Sequence, residues 1–371
     1  MIFLFAVIIA VLVFAACSPI EPAAVSKTAT PTPSAAAKPT PAPTAAKTTQ
    51  KPTAAPETKT TAATAPAAAV RKQLLIKNAL FLAEGADGSK YFLRTVAPQK
   101  NTDSAPGTTD HVIMQKNGKE QELFTGTVFH GIVKAGFSHD GRYLALLDTS
   151  QKDSVLYLAD MKDGSLKNMG EEGFGTDTNS FVWDEKKDVI YAMTGSGSVQ
   201  LMGYDVAKKD VFAVNEDAGE ESPLGINGGT LYYADGNKIM AVDIKSGKTS
   251  RYTTGFAFET ADGTMAVKRQ KKAEEEIILV DLVIKTAGGE KTIAKDTEID
   301  SYTFARDGKA LYYTKPLGKN GYELVRYDLA SGSLKTLAEL KTPDIRTVTD
   351  GLLWSDTVKS EPDTYKLLIN G

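Results

Sequence analysis

From residue 71 onward the chain sets short apolar runs between Asp-Gly, Asn-Gly and Ser-Gly pairs. Tyr143-Leu144-Ala145-Leu146-Leu147, Val189-Ile190-Tyr191-Ala192 and Ala310-Leu311-Tyr312-Tyr313 are examples. Runs of this length, β-branched or aromatic and bounded by turn residues, predict strands in tight hairpins. No stretch of about 12 residues keeps a helical period with caps. Residues 71–371 are therefore predicted to be all-β. Two different patterns precede them. Residues 1–16 (MIFLFAVIIAVLVFAA) are apolar throughout, and residues 18–70 show no periodicity.

Within the β region one element recurs: an apolar pair, an Asp, an aliphatic residue and a small polar turn. It appears as Leu158-Ala159-Asp160-Met161, Gly203-Tyr204-Asp205-Val206, Ala241-Val242-Asp243-Ile244, Leu279-Val280-Asp281-Leu282 and Arg326-Tyr327-Asp328-Leu329. The aspartates are 45, 38, 38 and 47 residues apart. Three copies lead into Asp163-Gly164, Ser246-Gly247 and Ser331-Gly332. Upstream lies a second element, Phe137-Ser138-His139-Asp140-Gly141-Arg142 and Phe304-Ala305-Arg306-Asp307-Gly308-Lys309, with a degenerate copy at Phe181-Val182-Trp183-Asp184-Glu185.

A period near 40 with four short strands per unit is the signature of propeller blades. Seven blades divide the 301 residues at 43 each, and six or eight stay open. Blades are expected to start near residues 80, 130, 175, 220, 255, 297 and 343. The last is short of a strand, which residues 72–78 can supply. Closure by both chain ends removes an edge that would otherwise recruit other chains. The repeat, Phe-x-x-Asp-Gly followed by a strand ending in Asp and then Ser/Asp-Gly, resembles the TolB-type, WD40-like propeller repeat over about 240 residues. That resemblance implies a fold rather than an activity, because its motif residues belong to turns and core.

Residues 1–16 span roughly 24 Å as a helix, short of the roughly 30 Å hydrocarbon core. That length fits the apolar region of a signal peptide. Cys17, the chain's single cysteine, follows Ala15-Ala16 directly. The arrangement resembles the lipobox of bacterial lipoproteins, with Phe14 where that family favours Leu. The resemblance implies cleavage before Cys17, acylation of its thiol and a membrane anchor on the extracytoplasmic side. Residues 18–70 contain 17 Ala, 12 Thr and 10 Pro and no aromatic residue. Such a composition buries too little apolar surface to offset ordering entropy, so residues 17–70 are predicted to be a disordered stalk carrying the lipidated Cys17.

The whole chain has 43 Lys+Arg, 46 Asp+Glu and a net charge of -3. The stalk contributes +3, leaving -6 for the β region. This balance argues against nucleic-acid binding driven by bulk charge. One cysteine and three histidines exclude a disulfide framework and a multi-Cys zinc site. His111, His130 and His139 fall within 29 residues, too few and too close together to resemble the propeller lyases that use several histidines and a metal. The Asp-Gly pairs at 140, 163, 262, 307 and 350 lack the alternating acids of a calcium loop and read as turns. There is no G-x-S-x-G elbow. With only Trp183 and Trp354, the chain does not resemble quinone-binding propellers.

No catalytic, cofactor or metal residue is assigned, and Cys17 is the one site residue, for lipid attachment. Lys268 to Glu276 (KRQKKAEEE) reads as a solvated outer hairpin tip, residues 216–221 as an acidic link between blades 3 and 4, and residues 97–110 as an insertion longer than a hairpin needs. The reading as a whole is a membrane-anchored, extracytoplasmic propeller lipoprotein acting as a binding scaffold for an envelope protein or glycan. The alternative is a propeller enzyme, a lyase or hydrolase, acting on envelope or extracellular polysaccharide or peptide.

Overall fold

The computed structural model describes residues 70–76, 79–96, 109–125, 127, 129, 131–149, 154–174, 177–195, 199–216, 218, 224–274, 277–318, 321–349, 351–355 and 363–369. Among them are seven four-stranded antiparallel sheets. Six follow chain order strand by strand; the seventh joins the chain's last three described strands to its first. The first strands of successive sheets neighbour one another around a ring. The described residues form a single all-β propeller, and these strands form its inner rim.

The inner strands of blades 1 to 7 are Ala79–Glu84, Ile132–Phe137, Thr178–Trp183, Leu224–Asn227, Ala257–Ala261, Tyr302–Phe304 and Ile345–Val348. Each begins within five residues of its expected position. Turn chemistry reset the chain in step with the period, so the borders were legible. Both ends close the ring as expected, but the closing strand lies two residues earlier than 72–78 and takes in Val70 from the predicted stalk. Val70–Ile76 pairs with Asp363–Ile369, placing Val70 opposite Leu368, 298 residues away.

Seven clusters of buried side chains hold the ring, each bridging two neighbouring blades. Phe81 and Phe92 of blade 1 meet Val348 and Leu353 of blade 7. Trp183 and Phe181 of blade 3 pack against Leu156 and Leu158 of blade 2. Alternation along each strand thus serves two neighbours: one face of a blade fills one joint, the other face fills the next.

The repeated Asp has a definite task. Asp160, Asp205 and Asp328 end the third strands of blades 2, 3 and 6, and Asp243 follows the third strand of blade 4. Their carboxylates accept the amides of Lys162, Lys208, Ser331 and Lys245 at 2.9, 3.1, 2.8 and 3.0 Å. In three copies a glycine amide, from Gly164, Gly247 or Gly332, returns to the Asp carbonyl at 2.8–2.9 Å. These glycines have φ of 75, 67 and 67°. At Gly247 a Cβ would lie 2.3 Å from the Val214 carbonyl oxygen, so glycine is required there on two counts.

Asp281 departs from the expected pattern. It sits inside the long third strand of blade 5, Ile277–Thr286, where its carboxylate accepts the Asp296 amide. Thr286 ends that strand, and its hydroxyl accepts the Gly288 amide at 3.2 Å, the local task that Asp performs elsewhere. The apolar-pair-Asp signature matched, but the strand continues five residues past it. The degenerate copy in blade 3 is also displaced: Trp183, rather than Phe181, ends the inner strand as Phe137 and Phe304 do.

The charged stretch in blade 5 is strand for most of its length. Residues 268–274 belong to the second strand, Thr264–Glu274, paired with the apolar third strand from Leu282 back to Ile277. Lys268 donates to the Ile299 carbonyl at 2.6 Å, and Arg269 donates to the Thr254 carbonyl at 2.8 Å and to Glu290 at 2.7 Å. These charges have protein partners, and the solvated-tip reading is corrected for both.

Candidate functional site

Inner-strand polar residues are the natural place to look for chemistry, because they surround the axis of the ring. Three of them occupy the third position of their strands and bond to the next blade. Lys134 donates to the Phe181 carbonyl at 2.6 Å, Ser180 accepts the Leu224 amide at 3.3 Å, and Glu259 accepts the Phe304 amide at 3.1 Å. Glu259 also accepts the Thr303 hydroxyl at 3.0 Å. These residues stitch blades together. Two of them are electrostatically displaced in the process: desolvation pushes the Glu259 carboxyl up to about 7 and brings the Lys134 ammonium down to about 8.

Glu84, at the end of the inner strand of blade 1, is a different kind of joint. Its carboxylate accepts Lys90 at 3.0 Å, Arg306 of blade 6 at 3.4 Å and the Thr349 amide of blade 7. Burial opposes its ionisation, but the Thr349 amide and the Lys90 ammonium outweigh that penalty and hold the carboxyl below its ordinary value.

In an antiparallel blade the first-to-second and third-to-fourth turns lie on one side of the ring. Three cavities are lined by residues of these turns. One of about 600 Å³ between blades 1 and 2 touches Asp87, Asp140 and Gly164. A second, about 760 Å³, lies between blades 3 and 4 and touches Lys186, Lys187, Gly229, Lys245 and Lys248. A third, about 460 Å³, reaches inner-strand residues of blades 1, 2, 6 and 7, including Glu84, Thr303 and Arg346, together with His139 and Arg306 from the first turns of blades 2 and 6. The first two alternate apolar walls with charged rims.

The sequence candidates fall as follows. Cys17, His130, Asp350 and residues 97–108 lie outside the described residues. In the acidic link, so do residues 217 and 219–221. His111 pairs with Glu122 at 2.7 Å on the outer strands of blade 1. His139 is in the first turn of blade 2, 3.1 Å from Asp188 in the first turn of blade 3. The ring does not bring His111 and His139 together. Potential ligand atoms of His139, Asp140 and Asp188 do lie within 4.8 Å of one another. Asp140, however, already accepts the Arg142 amide and the Ser138 hydroxyl, leaving a two-residue pair across the joint. Asp163 and Asp307 likewise cap Ser165 and Lys309, as expected of turn residues.

Sequence reasoning missed Glu259, Lys134 and the lysines around the groove of blades 3 and 4. Each lies in an unremarkable strand or turn, and only blade packing shows what faces it. Among the described residues no helix is long and apolar enough to cross a membrane.

No family model matches the sequence, and no curated protein matches it. Solved structures are similar in fold. The β-propeller domain of the Trilobed protease from Pyrococcus furiosus aligns with 80% of this chain and 97% of that one at 13% identity, with a TM-score of 0.57. A chain of the mitotic checkpoint complex aligns with 88% of this chain and 99% of its own length at 12% identity, with a TM-score of 0.56. TolB from Acinetobacter baumannii aligns more loosely, over 68% of this chain and 64% of that one at 15% identity and a TM-score of 0.43. The Pyrococcus domain is described as an open velcro; in this chain the first described strand, Val70–Ile76, completes the last blade.

Proposed function

We propose that this protein is a binding scaffold, held at the outer face of a cell membrane through lipidated Cys17 and displayed on the stalk of residues 18–70. One observation carries the binding part of this reading: three cavities open among the turns on one side of a ring whose inner-strand residues Lys134 and Glu259 bond across to the next blade. A rigid ring with recesses between blades presents loops and grooves to a ligand at little ordering cost. The apolar segment, Ala15-Ala16 and the position of Cys17 support the anchor. Confinement at a membrane would raise the local concentration of the ring towards envelope proteins or glycans.

The test is crosslinking and pull-down from intact cells, comparing the full chain with a version lacking residues 71–371. A partner captured only with the ring supports the scaffold; background proteins alone, under several growth conditions, overturn it. Cys17→Ser is expected to release the protein from membranes, and unchanged retention refutes the anchor.

The enzyme reading has one observation of its own, the Glu259 carboxyl near 7, a value suited to general acid–base work. Its acceptor oxygen is already bonded by Thr303 and Phe304, which favours the structural role. Hydrolysis or elimination on polysaccharide or peptide that disappears in Glu259→Gln would reverse that judgement.

A further inference from the structure

The groove between blades 3 and 4 combines free cations with occupied anions. Lys186 and Lys187 come from the first turn of blade 3, and Lys245 and Lys248 from the last turn of blade 4. All four are exposed, and none forms an ion pair with an acid among the described residues.

The neighbouring acids explain why. Asp184 accepts the Lys186 amide at 2.9 Å and the Tyr191 hydroxyl at 3.5 Å. Asp243 accepts the Lys245 and Ser246 amides at 3.0 and 2.9 Å. Glu185 reaches blade 4, where its two oxygens accept the Gly228 and Gly229 amides at 3.3 and 3.2 Å. Those glycines have φ of 59 and 77°, so successive amides converge on one carboxylate as in an anion-binding nest. Each acid at the rim thus accepts backbone amides rather than a lysine ammonium, although the Lys245 charge still acts on Asp243. Four lysines against Asp184, Glu185 and Asp243 leave the recess with one positive charge in excess, on a domain of net charge -6.

We propose that this groove binds a ligand carrying two or more phosphate or carboxylate groups, with Lys186 and Lys187 on one wall and Lys245 and Lys248 on the other. A singly charged group would engage one wall only; cations on opposite walls of a recess of about 760 Å³ suit charges spaced along a larger ligand. The proposal deepens the scaffold reading and rests on it.

The test is calorimetric titration of the full-length protein in detergent with inorganic tripolyphosphate and, separately, with citrate, at low and high salt. At least one is expected to bind at low salt and weaken at high salt. Which of the two binds separates phosphate from carboxylate recognition. The variant K186A/K187A/K245A/K248A is expected to lose at least tenfold in affinity, and the milder K187Q/K248Q about threefold. K119A/K335A, two exposed lysines of blades 1 and 6, should change nothing. Failure of both anions to bind, or equal weakening in the control, overturns the groove. Partner capture by pull-down that survives the four-lysine change overturns the groove while keeping the scaffold. Lysine-dependent anion binding without any captured partner keeps the groove and overturns the envelope scaffold.

Discussion

At the joint of blades 7 and 1, Glu84 receives an ammonium, a guanidinium and a backbone amide. At the joint of blades 5 and 6, Glu259 receives a hydroxyl and a backbone amide, with no cation in hydrogen-bonding contact among the described residues. Both carboxylates end an inter-blade bond from an inner strand, and both are desolvated. The first is held below its ordinary value and the second is raised to about 7. The balance between desolvation and donors therefore decides the sign: at Glu84 the Thr349 amide and the Lys90 ammonium together outweigh burial, whereas at Glu259 the Phe304 amide, the Thr303 hydroxyl and the field of Arg346 do not. The location is also telling. The charged lock stands where the chain's two ends must meet, and the neutral one joins two blades that follow each other in sequence.

The strongest way to break the comparison is to remove the closing strand. Deleting residues 70–76 leaves Asp363–Ile369 as an open edge. Thermal unfolding should start at the closure joint, with loss of a single cooperative transition and gain of aggregation. A single transition at an unchanged midpoint would show that Glu84 and the apolar joint suffice.

Glu84→Ala comes next. It leaves the mostly buried Lys90 without its carboxylate and should cost about 3–5 kcal/mol in denaturant unfolding. Less than about 1 kcal/mol would show that the lock is dispensable. Thr303→Val removes one neutral donor from Glu259 and should cost about 1 kcal/mol at pH 8, where the carboxylate is charged. At pH 5 the cost should be smaller, because the protonated acid needs that donor less.

The finest test is the pH profile of stability. Glu84 has a lowered folded pKa, so its contribution is present above the unfolded value near 4.5 and is lost as pH falls through the folded value. Glu259 has a raised one, so folding binds its proton more tightly and stability declines as pH rises from near 4.5 to about 7. Glu84→Gln should flatten the acid limb alone, and Glu259→Gln the decline towards neutrality alone. Identical profiles for both variants would erase the distinction between the joints.

Much of the ring was legible in the sequence. Turn pairs such as Asp163-Gly164 and Ser331-Gly332 have local causes, an Asp side chain bonding nearby amides and a glycine at positive φ, so they can be read residue by residue. The strand borders followed from them. Asp281 was misplaced because a local motif does not reveal how far its strand runs, and pairing with the long second strand decided that. The charged run at 268–274 was misjudged for the same reason. Its polar composition suggested solvent, but an apolar partner strand and a neighbouring carbonyl gave its backbone and its Lys268 somewhere to go.

The sequence by itself determined that the chain carries a β-repeat of about 40 residues, that the two ends of this repeat region can complete one blade, and that an apolar stretch and a Pro-rich stretch precede it. These are matters of period and composition, which need no knowledge of neighbours. Only the tertiary structure decided which acids are raised or lowered, that Arg306 reaches Glu84 from 222 residues away, and that Lys186, Lys187, Lys245 and Lys248 surround one groove. Electrostatic and packing energies depend on distances across joints, and ring closure sets those distances between residues that the sequence keeps far apart.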